Sequence, residues 1–194
     1  MKKTKLHCRS PNIFRMKSMT DADIELQHLW LEIQTQRWQN VSRFLFSYYC
    51  YKNNLVNKNN KVCWETARDA LPASICLKTR KQAVIEPLIP EETVVGLLKA
   101  ISKDGEMTFD VMTATLNAFL HYVVISKQEK LQLKPNMPAS WYQQHHKPVF
   151  ARFEQAGIEI QQNQIAPYRA ADVKKRPQGG AFGQRVSNSW TRKL

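Results

Sequence analysis

The stretch Thr108–Leu131, TFDVMTATLNAFLHYVVISKQEKL, decides how this chain is to be read. Phe109, Met112, Leu116, Phe119, Leu120, Val123 and Leu131 recur at threes and fours, the spacing of one apolar helix face. That periodicity predicts one long helix starting at Thr108. A competing reading ends the helix near Leu120 and makes HYVVIS and LQLK a hairpin around Lys127 to Lys130, the wing of a winged helix. Val123, Val124 and Ile125 support that alternative because β-branched residues suit strands. The uninterrupted periodicity favours the long helix.

Upstream, Glu91 and Glu92 follow Pro90 and open a helix over TVVGLLKAI, and KDGE makes a compact turn. Residues 91–131 therefore read as a helical hairpin or part of a helix-turn-helix. Nearer the N-terminus, TDADIELQHLWLEI starts a helix at Asp21. Its carboxylates at Asp21, Asp23 and Glu25 suit the positive end of a helix dipole better than a metal or acid–base cluster. In RWQNVSRFLFSYYCYKN, Trp38, Val41, Leu45 and Tyr48 form a second apolar stripe, whose aromatic rings read as core filling rather than base stacking. The asparagine-rich NNLVNKNNK, residues 53–61, reads as a loop.

VCWETARDAL is expected to be a short helix stopped by Pro72, with Ser74 capping a second helix over ICLKTRKQAVIEPLI. This pair is a second possible helix-turn-helix. Its second helix would present Lys78, Arg80 and Lys81 to phosphates and base edges, against the plainer reading of a solvated face. KPNMPASWYQQHHKP is a proline-bounded connector, VFARFEQAG a short helix stopped at Gly157, and IEIQQNQI a strand or frayed helix.

Charge is the feature that stands out. The chain has 194 residues, is 43% hydrophobic and carries a formal charge of +13. The hydrophobic share is ordinary for a globular domain, and the charge points to a polyanionic partner. Residues 1–18 hold Lys2, Lys3, Lys5, Arg9, Arg15 and Lys17 with no acid. Residues 169–194 hold seven cations against Asp172, whereas 19–168 hold sixteen cations against fifteen acids. Twelve of the thirteen excess charges thus sit in the two ends, which defines a basic N-terminal arm (1–18), a helical domain (19–168) and a basic tail (169–194). The tail mixes Lys174, Lys175, Arg176, Arg185, Arg192 and Lys193 with glycines and with Phe182 and Trp190, a mixture suited to holding phosphates and stacking on bases.

No phosphate-binding loop, dinucleotide fingerprint, HExxH, GxSxG or paired CxxC occurs. Cys8, Cys50, Cys63 and Cys76 are scattered and read as reduced thiols. The adjacent His145 and His146 point apart on any regular element and read as surface or packing residues, and His28 and His121 as interior or boundary residues. No metal site, cofactor or catalytic residue is expected. No apolar run approaches membrane-spanning length, and the N-terminal cations lack the apolar stretch of a secretory signal or the faces of a mitochondrial presequence, so the cytoplasm is expected.

The fold class expected is mainly α: a single helical domain with room for a helix-turn-helix or winged-helix element, between flexible basic termini. The function expected is non-enzymatic nucleic-acid binding, DNA ahead of RNA, with terminal cations on phosphates and the helical body giving orientation. The alternative is a structural or adaptor subunit of a protein or ribonucleoprotein assembly.

Overall fold

A computed structural model describes residues 19–161. The described residues are mainly helical, with eight α-helices and a two-stranded sheet. Helix α1 (Asp21–Gln34) begins in a capping box. The Thr20 hydroxyl accepts from Asp23 N at 3.2 Å, and Asp23 Oδ2 accepts from Thr20 N at 2.9 Å. The acidic start is therefore helix-start chemistry. Helix α2 (Trp38–Lys52) returns against α1, burying Val41, Leu45 and Tyr48 against Leu26, Leu29 and Ile33. At the corner, the buried Glu32 carboxylate accepts from Arg37 Nη2 at 2.8 Å and Asn40 Nδ2 at 3.1 Å.

The loop after α2 is built by its asparagines. Asn54 and Asn60 adopt left-handed backbone angles, and Asn57 Oδ1 accepts from the amides of Asn59 and Lys61. Helix α3 (Trp64–Ala70) is short and stops ahead of Pro72, as its sequence predicts. The second helix expected after it does not form. Ser74 N donates to Val124 O and Ile75 N to Glu159 O, so the backbone there pairs with extended neighbours. Only Arg80–Gln82 makes a single 3₁₀ turn, and Val84–Pro87 becomes strand β1. No helix-turn-helix exists over residues 62–89.

Helices α4 (Glu91–Lys103) and α5 (Phe109–Phe119) form the expected hairpin, turning through Gly105 at φ 75°. The long helix from Thr108 is overturned, however, because α5 stops at Phe119 and Tyr122–Ile125 is strand β2. Every residue of β2 is buried, so the strand carries a continuous apolar run rather than an alternating one. The wing is not formed either. β2 pairs antiparallel with the upstream β1, in the register Val84↔Ile125 to Pro87↔Tyr122. The segment meant for the wing turn is helix α6 (Lys127–Gln132), started by a Ser126–Glu129 capping box. Leu131, assigned by periodicity to the core face, is 87% exposed on α6.

On its other side β2 takes Ala73 as a parallel bridge partner, and Ser74 bridges Ile160 antiparallel. IEIQQNQI is thus extended where it is described. The connector holds helix α7 (Ala139–Gln143), whose Trp141 is fully buried and donates Nε1–H to Pro148 O at 2.9 Å. Helix α8 (Ala151–Gln155) stops at Gly157, at φ 67°. The alternation of β2 divides the interior. Tyr122 and Val124 face the core made by α1, α2, α4 and α5, while Val123 and Ile125 face a smaller cluster with Leu88, Phe153, Ile158 and Ile160.

Candidate nucleic-acid interface

Trp64, the first residue of α3, is 59% exposed although it lies on the helix face that carries the buried Ala67 and Leu71. Its ring stacks on Phe46 of α2, with centroids 4.4 Å apart and planes 17° apart. Phe46 in turn meets Tyr122 edge-on at 5.1 Å, and Tyr122 meets Tyr49 at 4.9 Å. Tyr122 donates its hydroxyl to Glu91 Oε1 at 2.6 Å. Burial, reinforced by Glu91, pushes the Tyr122 phenol well above its usual range, so the group stays a donor. A chain of rings anchored in the core therefore ends at the surface on Trp64.

Beside that ring runs an open groove of about 330 Å³ lined by Trp64, Arg68, Ala83, Val84, Ile85 and Lys130. Its cations come from α3 and α6, and its floor from β1, which pairs with β2 on one side only. Arg68 Nη1 donates to Lys81 O at 3.3 Å, while its Nε has no hydrogen-bond acceptor and stands 3.7 Å from Asp69 Oδ1. Lys130 Nζ lies 3.1 Å from Glu86 Oε2, whose other oxygen accepts from the buried Arg152 at 2.9 Å. Two cations thus face one carboxylate there. Glu65 and Asp69 are sequence neighbours of Trp64 and Arg68, and Glu129 precedes Lys130.

Of the cations singled out by sequence in the domain, Lys78 and Lys81 are exposed. Arg80 is engaged elsewhere. Its Nη1 donates to Arg68 O at 2.6 Å and Leu71 O at 2.9 Å, capping the carbonyl end of α3. The N-terminal cations from Lys2 to Lys17, and Lys174, Lys175, Arg176, Phe182, Arg185, Trp190, Arg192 and Lys193, lie outside the described residues. Trp64, Arg68 and Lys130 were missed by sequence reasoning. The 64/67/71 spacing predicts burial for Trp64, and no local signal marks the absence of a cover over the first turn of α3.

A second polar cluster joins α2 to α5. Asn117 Oδ1 accepts from Tyr48 Oη at 3.1 Å and from Lys52 Nζ. Burial lowers the Lys52 ammonium, and burial followed by the Lys52 charge lowers His121. His28, expected at the interior or boundary, is exposed and packs on Phe44 with centroids 5.1 Å apart. Cys50 is buried, which pushes its thiol up to about 12 and leaves it no thiolate near neutrality. Among the described residues, no three His, Cys, Asp or Glu side chains are grouped to hold a metal ion, and no helix is long and apolar enough to cross a membrane. Comparison with protein-family models, curated proteins and solved structures found no match, so the functional reading rests on the residues and geometry of this chain.

Proposed function

We propose that this protein binds nucleic acid without catalysing a reaction, its basic ends holding phosphates and its helical body supporting them. The observation that carries the reading is the distribution of charge: twelve of thirteen excess charges in residues 1–18 and 169–194, beside a domain that is nearly balanced. Such ends add affinity through counterion release, which is indifferent to sequence. The preference for duplex DNA loses its main support, because residues 75–89 do not supply a helix for the major groove.

A salt titration of the full chain tests this reading. Replacing Lys174, Lys175, Arg176, Arg185, Arg192 and Lys193 by glutamine should flatten the plot of log affinity against log salt by up to about 4 on single strands. A wild-type chain that binds neither strand form at low salt sinks the proposal. The adaptor reading draws on Ile24 and Leu31, exposed two turns apart on α1. It requires the glutamine variant to keep a stable protein partner.

A further inference from the structure

We infer that Trp64 is a stacking platform for an unpaired base, so that the protein prefers single-stranded nucleic acid to duplex. The inference rests on the nucleic-acid reading above and adds where a base sits and which strand form supplies it. One face of the Trp64 indole is covered by the near-parallel Phe46 ring, yet the residue is 59% exposed. Among the described residues Phe46 is the one ring recorded against Trp64, which leaves the opposite face of the indole without a stacked ring. A large apolar plane held by rings behind it loses little freedom when a base settles on it.

The surroundings fit a nucleotide better than an apolar protein segment. Arg68 and Lys130 stand along the same groove, with Ala83, Val84 and Ile85 as its floor. Its volume of about 330 Å³ falls at the low end of the roughly 300–1,000 Å³ of small-ligand sites. The groove itself is close to charge-balanced, Arg68, Lys130 and Arg152 standing against Glu65, Asp69 and Glu86, so its cations offer hydrogen-bond donors beside the ring rather than a net positive field. Glu86 is countered by both Lys130 and Arg152, and Asp69 stands close to the Arg68 guanidinium. The Arg68 Nε hydrogen lacks an acceptor.

Strand form follows from stacking. Inside a duplex both faces of each base are covered by neighbours, so an indole face is open only to an unpaired base. The excess cations of the two ends add affinity for phosphate that does not depend on which base is bound.

The test uses the full chain with a labelled oligothymidine strand and a labelled mixed-sequence duplex at one salt concentration. Trp64→Leu keeps apolar bulk over Phe46 and removes the plane, and Trp64→Phe keeps a ring. Trp64→Leu should weaken single-strand binding about 5- to 150-fold and leave duplex binding unchanged. Trp64→Phe should retain most of the single-strand affinity, which separates loss of the plane from loss of folding. Equal losses on strand and duplex, or no loss on either, overturn the platform and leave the proposed function standing. Failure of the wild-type chain to bind either probe overturns both.

Discussion

The two sides of β2 are closed by different means. Toward α1, α2, α4 and α5 the contacts are apolar, with Leu29, Val41, Leu45, Leu98 and Leu116 essentially removed from water. On the other side the small cluster around Phe153 and Ile125 is closed by Arg152, which is 3% exposed. Its guanidinium donates to Glu86 Oε1 and Pro87 O on β1, and to Lys134 O beyond α6. The larger core rests mainly on apolar area, and its directional contacts, such as Tyr122 to Glu91 and Tyr48 to Asn117, lie at its margins. The smaller one has a five-residue helix to fix, and one buried cation reaches three separate acceptors to do so. The difference teaches that the long helices of this fold are held mainly by apolar area, whereas the five-residue α8 depends on one buried cation.

Breaking the charged side should have the largest effect. Arg152→Met leaves Glu86 buried with only the half-exposed Lys130 and should cost about 3–5 kcal/mol in urea unfolding. Adding Glu86→Leu removes the carboxylate that has lost its buried partner and should recover much of that loss, since apolar replacements of buried ion pairs are tolerated. If the double variant is as unstable as the single one, the bonds to Pro87 O and Lys134 O matter more than the pair.

On the apolar side, Leu45→Ala leaves a cavity between α1 and α2 and should cost about 3 kcal/mol. This loss should add to that of Arg152→Met, because the residues share no partner across β2. Non-additivity beyond about 0.5 kcal/mol would show that the sheet couples the two cores.

How much of this was legible in the sequence differs on the two sides in the same way. Helices α1, α2, α4 and α5 expose one face and bury the other, so Leu26, Leu29 and Ile33, or Val94, Leu97, Leu98 and Ile101, recur at helical spacing. β2 is buried on both faces, and its run of Tyr122, Val123, Val124 and Ile125 has no period that distinguishes strand from helix. Placed one residue after Phe119 and Leu120, it extended the stripe of α5 by coincidence. One local signal was present. Ser126-Lys127-Gln128-Glu129 is a capping-box pattern inside the supposed helix, and it marks the start of α6. The sheet was hidden for another reason, since β1, residues 72–75 and 159–161 become extended only by pairing across long sequence distances. The candidate groove inherits that difficulty. Its ring, cations and floor come from α3, α6 and β1, which local periodicity does not bring together.

The junction between the sides offers a smaller test. Ser126→Ala removes the cap of α6 and should cost about 1 kcal/mol. Ser74 donates its hydroxyl to Glu129, so fraying α6 should also loosen residues 72–75 beside β2. Faster amide exchange confined to α6 and Ser74 would place the junction there, whereas global loss would mean that α6 belongs to the larger core.

The smallest effect expected is a pH response on the apolar side, at His121 between α5 and β2. Burial lowers its affinity for a proton, and the Lys52 ammonium lowers it further, while the carbonyls of Ala118 and Asn117 act in the opposite direction. With the folded value below the ordinary 6.5, the unfolded chain takes up the proton first. The contribution of His121 to stability is therefore complete above pH 6.5 and is lost as pH falls through the folded value. His121→Gln should remove this component, so that the gap in unfolding free energy between variant and wild type narrows on acidification. Lys52→Met should shift the response to higher pH by removing the repelling charge, even though it also removes a donor from Asn117. Parallel pH curves for wild type and His121→Gln would mean that the ring takes a proton equally well in both states, and that the apolar side of β2 admits charge more readily than its packing implies.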